Sequence, residues 1–178
     1  MCLHAYSDTN FTGDTEDRCS TGGYAVFLGT GTISWSSRRQ SIVALSSTES
    51  EYIVLSEVGC EIMWIKHFLE ELDFTSQEPT TIFADNQGTI AFATNEKMHR
   101  RMKHIDVKFH FIKKLIKDKI IHLKYHPTSQ MTADIFTKIL SPTIYECHTK
   151  FLGLTPSTLK GECTDTSAEG SNSTSISA

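Results

Sequence analysis

The alternation of apolar and polar positions along the chain predicts a series of short β-strands. Five segments are rich in strand-forming residues or alternate with a period of two: residues 3–8, 23–28, 32–37, 80–84 and 120–125. Gly29-Thr30-Gly31 is a turn signal between the second and third of these segments. We therefore predict five strands, of which the second and third form a hairpin.

Apolar residues that recur every three or four positions predict helices between these strands. Ser46 and Glu49 have the spacing of a capping box, so we expect a long helix to begin there. Its apolar face extends over about seven turns: Tyr52, Leu55, Val58, Ile62, Ile65, Leu69 and Leu72. Shorter helices are predicted at three further places: residues 87–94, 105–118 and 131–140.

Composition limits the class of protein. The chain has 178 residues, of which 39% are hydrophobic and 21% are charged, as in an ordinary globular protein. No apolar run approaches the roughly 18 to 20 residues of a membrane span, and the N-terminus has no secretory signal, so we expect an intracellular protein with no membrane partner. Ser, Thr and Gly dominate the sequence after Pro156. We predict one domain, residues 1–154, and a disordered Ser/Thr-rich tail, residues 155–178.

Charge is distributed unevenly along the sequence. Residues 1–96 carry 14 acidic and 4 basic side chains, whereas residues 97–124 carry 10 basic and 2 acidic ones. A basic stripe of this kind is expected of a nucleic-acid-binding surface, and Lys113, Lys114 and Lys117 are its candidates on the predicted helix. A solvated helix face explains the same charges, and the sequence leaves both interpretations open.

Four acidic residues fall near the ends of predicted elements. Asp8 ends the first strand, Glu51 lies in the first turn of the long helix, Asp85 ends the fourth strand and Asp134 lies in the last helix. If the first and fourth strands are adjacent and parallel, Asp8 and Asp85 reach the same edge of the sheet. Clustered carboxylates repel one another unless their pKa values rise or a cation compensates them. Oxygen ligands of this kind favour Mg²⁺ or Mn²⁺ over zinc.

Several stretches of the sequence resemble a known family. They are "YSDTNFTGDTEDRCSTGGYAVFLGTGTISWSSRRQ", "VALSSTESEYIVLSE", "FADNQGTIAFATN", "KHIDVKFHFIKKLI" and "TADIFTK". In this order they are similar to the ribonuclease H domain of copia-type long-terminal-repeat retrotransposon Pol polyproteins, over about residues 5–154. The resemblance implies an α/β, ribonuclease H-like fold, a mixed five-stranded sheet flanked by helices on both sides.

The resemblance also implies a function. The family cleaves the RNA strand of an RNA/DNA hybrid with two Mg²⁺ ions, for which Mn²⁺ can substitute. Its catalytic and metal-binding acids fall on the four positions that the element order selects: Asp8, Glu51, Asp85 and Asp134. The implied partners are the hybrid and a reverse transcriptase domain of the same element. The implied location is a cytoplasmic virus-like particle, or the nucleus.

Each assignment has a structural alternative. Asp85 is also a good helix N-cap, and Glu49 competes with Glu51 because both occupy the first helical turn. We choose Glu51, since Glu49 suits the capping box. Four further residues are candidates for contacts with sugar or base edges, although capping and turn bonds explain them equally well: Ser47, Thr48, Asn86 and Gln87. His126 is a candidate for proton transfer, against the alternative of a solvated loop residue.

The sequence departs from the family at one place beside the first acid. The usual Ser-Asp-Ala-Asp-Trp is here Ser7-Asp8-Thr9-Asn10-Phe11, so a second acid is lost. Two alternatives to the enzyme stay open, although none of the four acids is missing. One is a non-catalytic nucleic-acid-binding remnant or a domesticated domain of such an element. The other is a different nuclease or integrase of the same broad fold, in which the Glu typically follows the second Asp rather than preceding it.

Overall fold

Five strands form one mixed sheet. The computed structural model describes residues 2–13, 16–74, 78–95 and 106–154. The strands are β1 (Leu3–Asn10), β2 (Thr21–Leu28), β3 (Gly31–Arg39), β4 (Thr80–Ala84) and β5 (Ile121–Tyr125), in the order β3-β2-β1-β4-β5. Strands β1, β2 and β3 are antiparallel neighbours, whereas β4 is parallel to both β1 and β5. The predicted hairpin is confirmed, and the condition that the first and fourth strands be adjacent and parallel is met.

Within the described ranges, four α-helices accompany the sheet: α1 (Ser47–Glu71), α2 (Gln87–Thr94), α3 (Asp106–Lys117) and α4 (Pro142–Phe151). Helix α1 begins where the sequence predicted, because Ser46 Oγ accepts a hydrogen bond from Glu49 N–H at 3.2 Å. The Glu49 carboxylate accepts a hydrogen bond from Leu45 N–H at 3.0 Å. In a standard capping box the donor is the N–H of the cap residue, which here is Ser46. In the described residues, every helix is too short or too polar to span a bilayer.

Helices cover both faces of the sheet. On one face, α1, α2 and α3 enclose the larger core, in which Tyr52, Ile62 and Ile112 are fully buried against Ile82 of β4. On the opposite face, a smaller cluster joins the sheet to the segment after β5 and to α4. This confirms the mixed five-stranded sheet flanked by helices, and it leaves the edge beyond β1 and β4 open between the two layers.

The predicted last helix, residues 131–140, is wrong. Two short 3₁₀ turns occupy this region, Thr128–Gln130 and Thr132–Phe136, and α4 follows them. Ser141 is extended (φ −64°, ψ 152°), as is typical of a residue that precedes proline, and it separates these turns from α4. Pro142 instead occupies the first turn of α4, where its missing N–H costs nothing.

Candidate active site

The pairing of β1 with β4 places two acids at one edge of the sheet. The parallel register joins Tyr6 to Phe83, and Asp8 and Asp85 each follow this pair by two residues. The sequence predicted that Asp8 ends its strand, and this is wrong. Strand β1 continues to Asn10 because it pairs with β2 that far. Asp8 is therefore 2% exposed, paired with Gly23 of β2.

Asn86, not Asp85, caps helix α2. Asn86 Oδ1 accepts from Thr89 N–H at 3.1 Å, which is the standard N-cap bond. The alternative interpretation of Asp85 as a helix cap is thus wrong. Its Oδ2 accepts instead from the hydroxyl of Thr128 at 2.8 Å, in the first of the 3₁₀ turns. The Asp85 carboxylate is consequently held at the sheet edge without a part in the helix.

Glu51 faces the same edge from α1. Its Oε1 accepts from Asn86 Nδ2 at 3.1 Å, so the side chain of Asn86 joins the starts of α1 and α2. Burial raises the pKa of Glu51 to about 8; the Asn86 bond opposes this, and the charges of Asp85 and Asp8 raise it further. Glu49 is buried at the helix start and bonds Leu45. Glu49 therefore bonds the chain before the helix, whereas Glu51 faces the sheet edge where Asp85 lies.

Asp134 approaches from the second 3₁₀ turn rather than from a helix. This turn lies close against β2 because Gly23 has no side chain: a Cβ there would stand 2.6 Å from the Cβ of Phe136. Burial raises the pKa of Asp134 to about 6, and the negative charge of Asp8 acts in the same direction, while Lys138 opposes the rise. Asp134 and Asp8 are therefore electrostatic neighbours.

The Lys138 ammonium lies between these two carboxylates. Its Nζ is 3.0 Å from Asp134 Oδ1 and 3.2 Å from Asp8 Oδ2. The hydroxyl of Thr137 also donates to Asp8 Oδ2. Sequence reasoning missed Lys138, Thr137 and Thr128. The four-residue spacing of Asp134 and Lys138 was the available signal, because such a spacing brings opposite charges together in a helical turn.

The residues predicted to contact sugar or base edges lie at the starts of α1 and α2. Ser47 and Gln87 are exposed at the first positions of α1 and α2. The two helix starts are in contact, because Thr89 Oγ1 donates a hydrogen bond to the Thr48 backbone oxygen at 3.4 Å. Both polar atoms of the Asn86 side chain have partners within the protein, and contact of these four residues with substrate stays a prediction.

His126 lies in the same loop as Thr128. Its ring packs edge-on against Tyr6 and Phe83, and Nε2 is 3.2 Å from the Gln130 backbone oxygen. Proton transfer by His126 stays a prediction, one that these packing contacts do not support.

Lysines of α3 divide into two kinds. Lys114 and Lys117 are exposed, whereas Lys113 donates to the Asn95 backbone oxygen and its Nζ lies 4.3 Å from the centre of the Phe109 ring. Lys113 thus joins α3 to the end of α2. The remaining basic residues of the stripe before α3 fall outside the described residues: Lys97, Arg100, Arg101 and Lys103.

The acids suit a hard divalent cation by their chemistry. All four offer carboxylate oxygens, the ligands that Mg²⁺ and Mn²⁺ prefer, and two of them, Asp8 and Asp134, are buried as electrostatic neighbours. In their present positions, no three His, Cys, Asp or Glu side chains of the described residues are close enough to bind one ion. The positive charge that Asp8 and Asp134 share here is the Lys138 ammonium.

Similar sequences occur in retrotransposon polyproteins. The retrovirus-related Pol polyproteins of transposons RE2 and RE1 of Arabidopsis thaliana are 38% and 39% identical to this chain over 154 and 155 residues. That of transposon TNT 1-94 of Nicotiana tabacum is 36% identical over 152 residues. The matches cover 86%, 87% and 85% of this chain but 11% of each polyprotein, so the chain spans about a ninth of the length of these relatives. No family profile matches it.

Similar structures are ribonucleases H. RNase H1 of Halobacterium salinarum superposes with a TM-score of 0.57 at 14% identity, covering 77% of this chain and 95% of that one. The N-terminal RNase H domain of a Mycobacterium tuberculosis protein has a TM-score of 0.57 at 10% identity, covering 83% and 96%. LC11-RNase H1, solved in complex with an RNA/DNA hybrid, has a TM-score of 0.54 at 13% identity, covering 76% and 93%. At such low identity, the likeness establishes the fold. The chain therefore has the ribonuclease H fold and belongs with the copia-type retrotransposon Pol polyproteins, of which it matches one segment.

Proposed function

We propose that this domain is a metal-dependent ribonuclease H that hydrolyses the RNA strand of RNA/DNA hybrids. The observation that carries the proposal is the convergence of Asp8, Glu51, Asp85 and Asp134 on one edge of a ribonuclease H sheet. Sequence similarity to Pol polyproteins and the hybrid bound by a protein of the same fold support the choice of substrate. The Glu precedes the second Asp in sequence, which disfavours the integrase-like alternative.

The proposed residue roles combine the family resemblance with the contacts of each side chain. Asp8, Glu51, Asp85 and Asp134 would hold the two Mg²⁺ ions, for which Mn²⁺ would substitute. The chemistry that such ions supply is activation of a water and stabilisation of the leaving oxygen. Asn86 orients the Glu51 carboxylate, Thr128 orients that of Asp85 and Thr137 that of Asp8. Hydrolysis adds water across the phosphodiester and leaves a 5′-phosphate and a 3′-hydroxyl.

The proposal is tested by incubating the native chain with a labelled RNA/DNA hybrid and Mg²⁺. We expect cleavage of the RNA strand, loss of cleavage in EDTA, and its return when Mg²⁺ or Mn²⁺ is restored. RNA alone and duplex DNA are the control substrates. A folded chain that binds the hybrid but never cuts it would support the non-catalytic binding remnant instead.

The exposed lysines of α3 are expected to contact the phosphate backbone. Lys114→Glu combined with Lys117→Glu should weaken hybrid binding and reduce the slope of log K against log salt by about 1 to 2, because each lost phosphate contact removes roughly one released counterion. Binding is measured with Asp85→Asn in both proteins to prevent cleavage. Lys150→Glu, an exposed change on α4, is the control. An unchanged salt slope would assign α3 to a solvated face.

A partner is suggested by the kind of protein that the chain resembles. Because its relatives are Pol polyproteins, we propose that it acts beside the reverse transcriptase of the same element, removing RNA from the hybrids that this polymerase makes.

A further inference from the structure

We propose that Lys138 is the resident counter-ion of the acidic site, and that its ammonium must leave before Asp8 and Asp134 can bind a divalent cation together. The inference rests on the proposed function, since it takes these two acids as cation ligands. It adds that the Lys138 ammonium of the same chain competes with the divalent cation for these two acids.

The contacts of Lys138 place its charge between the two acids. Its Nζ lies 3.0 Å from Asp134 Oδ1 and 3.2 Å from Asp8 Oδ2, so one ammonium contacts oxygens of both carboxylates. The backbone fixes this arrangement locally, because Lys138 N–H donates to the Asp134 backbone oxygen at 2.9 Å. A cation bound by both carboxylates would have to use the space between them that the ammonium now fills.

Burial makes this charge necessary in the metal-free protein. Asp8 is 2% exposed and Asp134 is 8% exposed, so water solvates neither carboxylate well. A buried charge without a partner is strongly destabilising, and two such charges side by side also repel each other. Lys138 supplies the compensation, while the Thr137 hydroxyl gives Asp8 a hydrogen bond but no charge.

The side chain of Lys138 also has a route out of the site. It is 30% exposed, unlike the carboxylates it contacts, and a lysine side chain is a flexible four-carbon stem with a compact charge at its end. Rotation about its side-chain bonds can therefore carry the ammonium into solvent without movement of the backbone. The site then has two forms, one compensated by Lys138 and one by a divalent cation, and each form disfavours the other.

Lys138→Met tests this inference because it keeps the apolar stem and removes the charge. The native chain, Lys138→Met and Lys150→Met are freed of metal with EDTA and compared by thermal unfolding. Mg²⁺ and Mn²⁺ binding to each protein is then measured by calorimetric titration without nucleic acid. We expect Lys138→Met to unfold at a lower temperature when metal-free and to bind Mg²⁺ about tenfold more tightly than the native chain, because the competing charge is gone. Lys150→Met, an exposed change on α4, should match the native chain in both measurements.

Equal or weaker Mg²⁺ binding by Lys138→Met would overturn the inference. If this variant does not fold, Lys138→Gln replaces it with a neutral side chain that keeps a hydrogen-bond donor, and the same tightening is required. Hybrid cleavage by the native chain is scored separately. Native protein that cuts, together with unchanged Mg²⁺ affinity in the variant, rejects only the role of Lys138. Native protein that does not cut, together with tighter binding by the variant, rejects only the nuclease.

Discussion

Substitution of Asp85 by Asn is expected to abolish hybrid cleavage while the domain stays folded. The change removes one negative charge from the sheet edge and keeps the shape of the side chain, so that the oxygen of the new amide can still accept a hydrogen bond from Thr128. Helix α2 should not be affected, because its cap is Asn86. We expect cleavage to fall by about a thousandfold, which corresponds to about 4 kcal/mol of transition-state stabilisation.

The measurement is the initial rate of RNA-strand cleavage with Mg²⁺ at matched protein concentration, together with thermal unfolding and hybrid binding. Asp118→Asn, an exposed change in the turn after α3, is the control and should cut at the native rate. A folded Asp85→Asn protein with near-native cleavage would contradict the assignment of Asp85. An equal loss in both variants would point to a defect unrelated to the site.

The strands and the long helix were predictable because their signals are local. The alternation in β3, the glycine turn before it and the cap at Ser46 each specify a conformation within a few residues. The end of β1 was not predictable in this way. Asp8 continues the strand because β2 pairs with it as far as Asn10, and this pairing depends on a segment more than ten residues away.

The region around Asp134 shows where local signals fail. Residues 131–140 have apolar spacing that fits a helix, yet the chain forms a 3₁₀ turn held against Gly23 of β2. The proline that ends this region was visible in the sequence, but the glycine contact that seats the turn was not. The sequence also could not decide whether Asp85 or Asn86 caps α2, since Asp and Asn are about equally good N-cap residues.

The acids of the site were recognised more completely than the groups that surround them. Element order and family resemblance both selected Asp8, Glu51, Asp85 and Asp134, and the structure brings these four toward one edge. The partners of the acids, Lys138 and Thr128, become apparent only when the segment after β5 folds over the sheet. Such tertiary contacts leave little trace in local sequence patterns.

Substitution of Glu51 by Gln is expected to stabilise the metal-free domain at alkaline pH and to impair cleavage. The folded-state pKa of Glu51 is about 8, raised by burial and by Asp85 and Asp8, whereas an ordinary Glu titrates near 4.5. Below pH 4.5 the carboxyl is protonated whether the chain is folded or not, and Gln brings no gain. Between pH 4.5 and 8 the folded chain holds a proton that the unfolded chain releases, so native stability falls as pH rises. Gln mimics the protonated form and escapes this loss.

The gain should therefore grow from pH 5 to pH 8 and then level off, reaching on the order of 2 kcal/mol once solvent screening is allowed for. Denaturant unfolding of EDTA-treated protein across this range measures it, with Glu71→Gln, exposed in the last turn of the same helix, as the control. Mg²⁺ should reverse the order, because it compensates the native carboxylate and has less to bind in the variant. A variant that is stabilised without metal, less stabilised by Mg²⁺ and slow in cleavage would show that the Glu51 carboxylate destabilises the metal-free fold and serves metal binding and cleavage. Equal stability of native and variant protein at pH 8 would show that folding does not raise the pKa of Glu51.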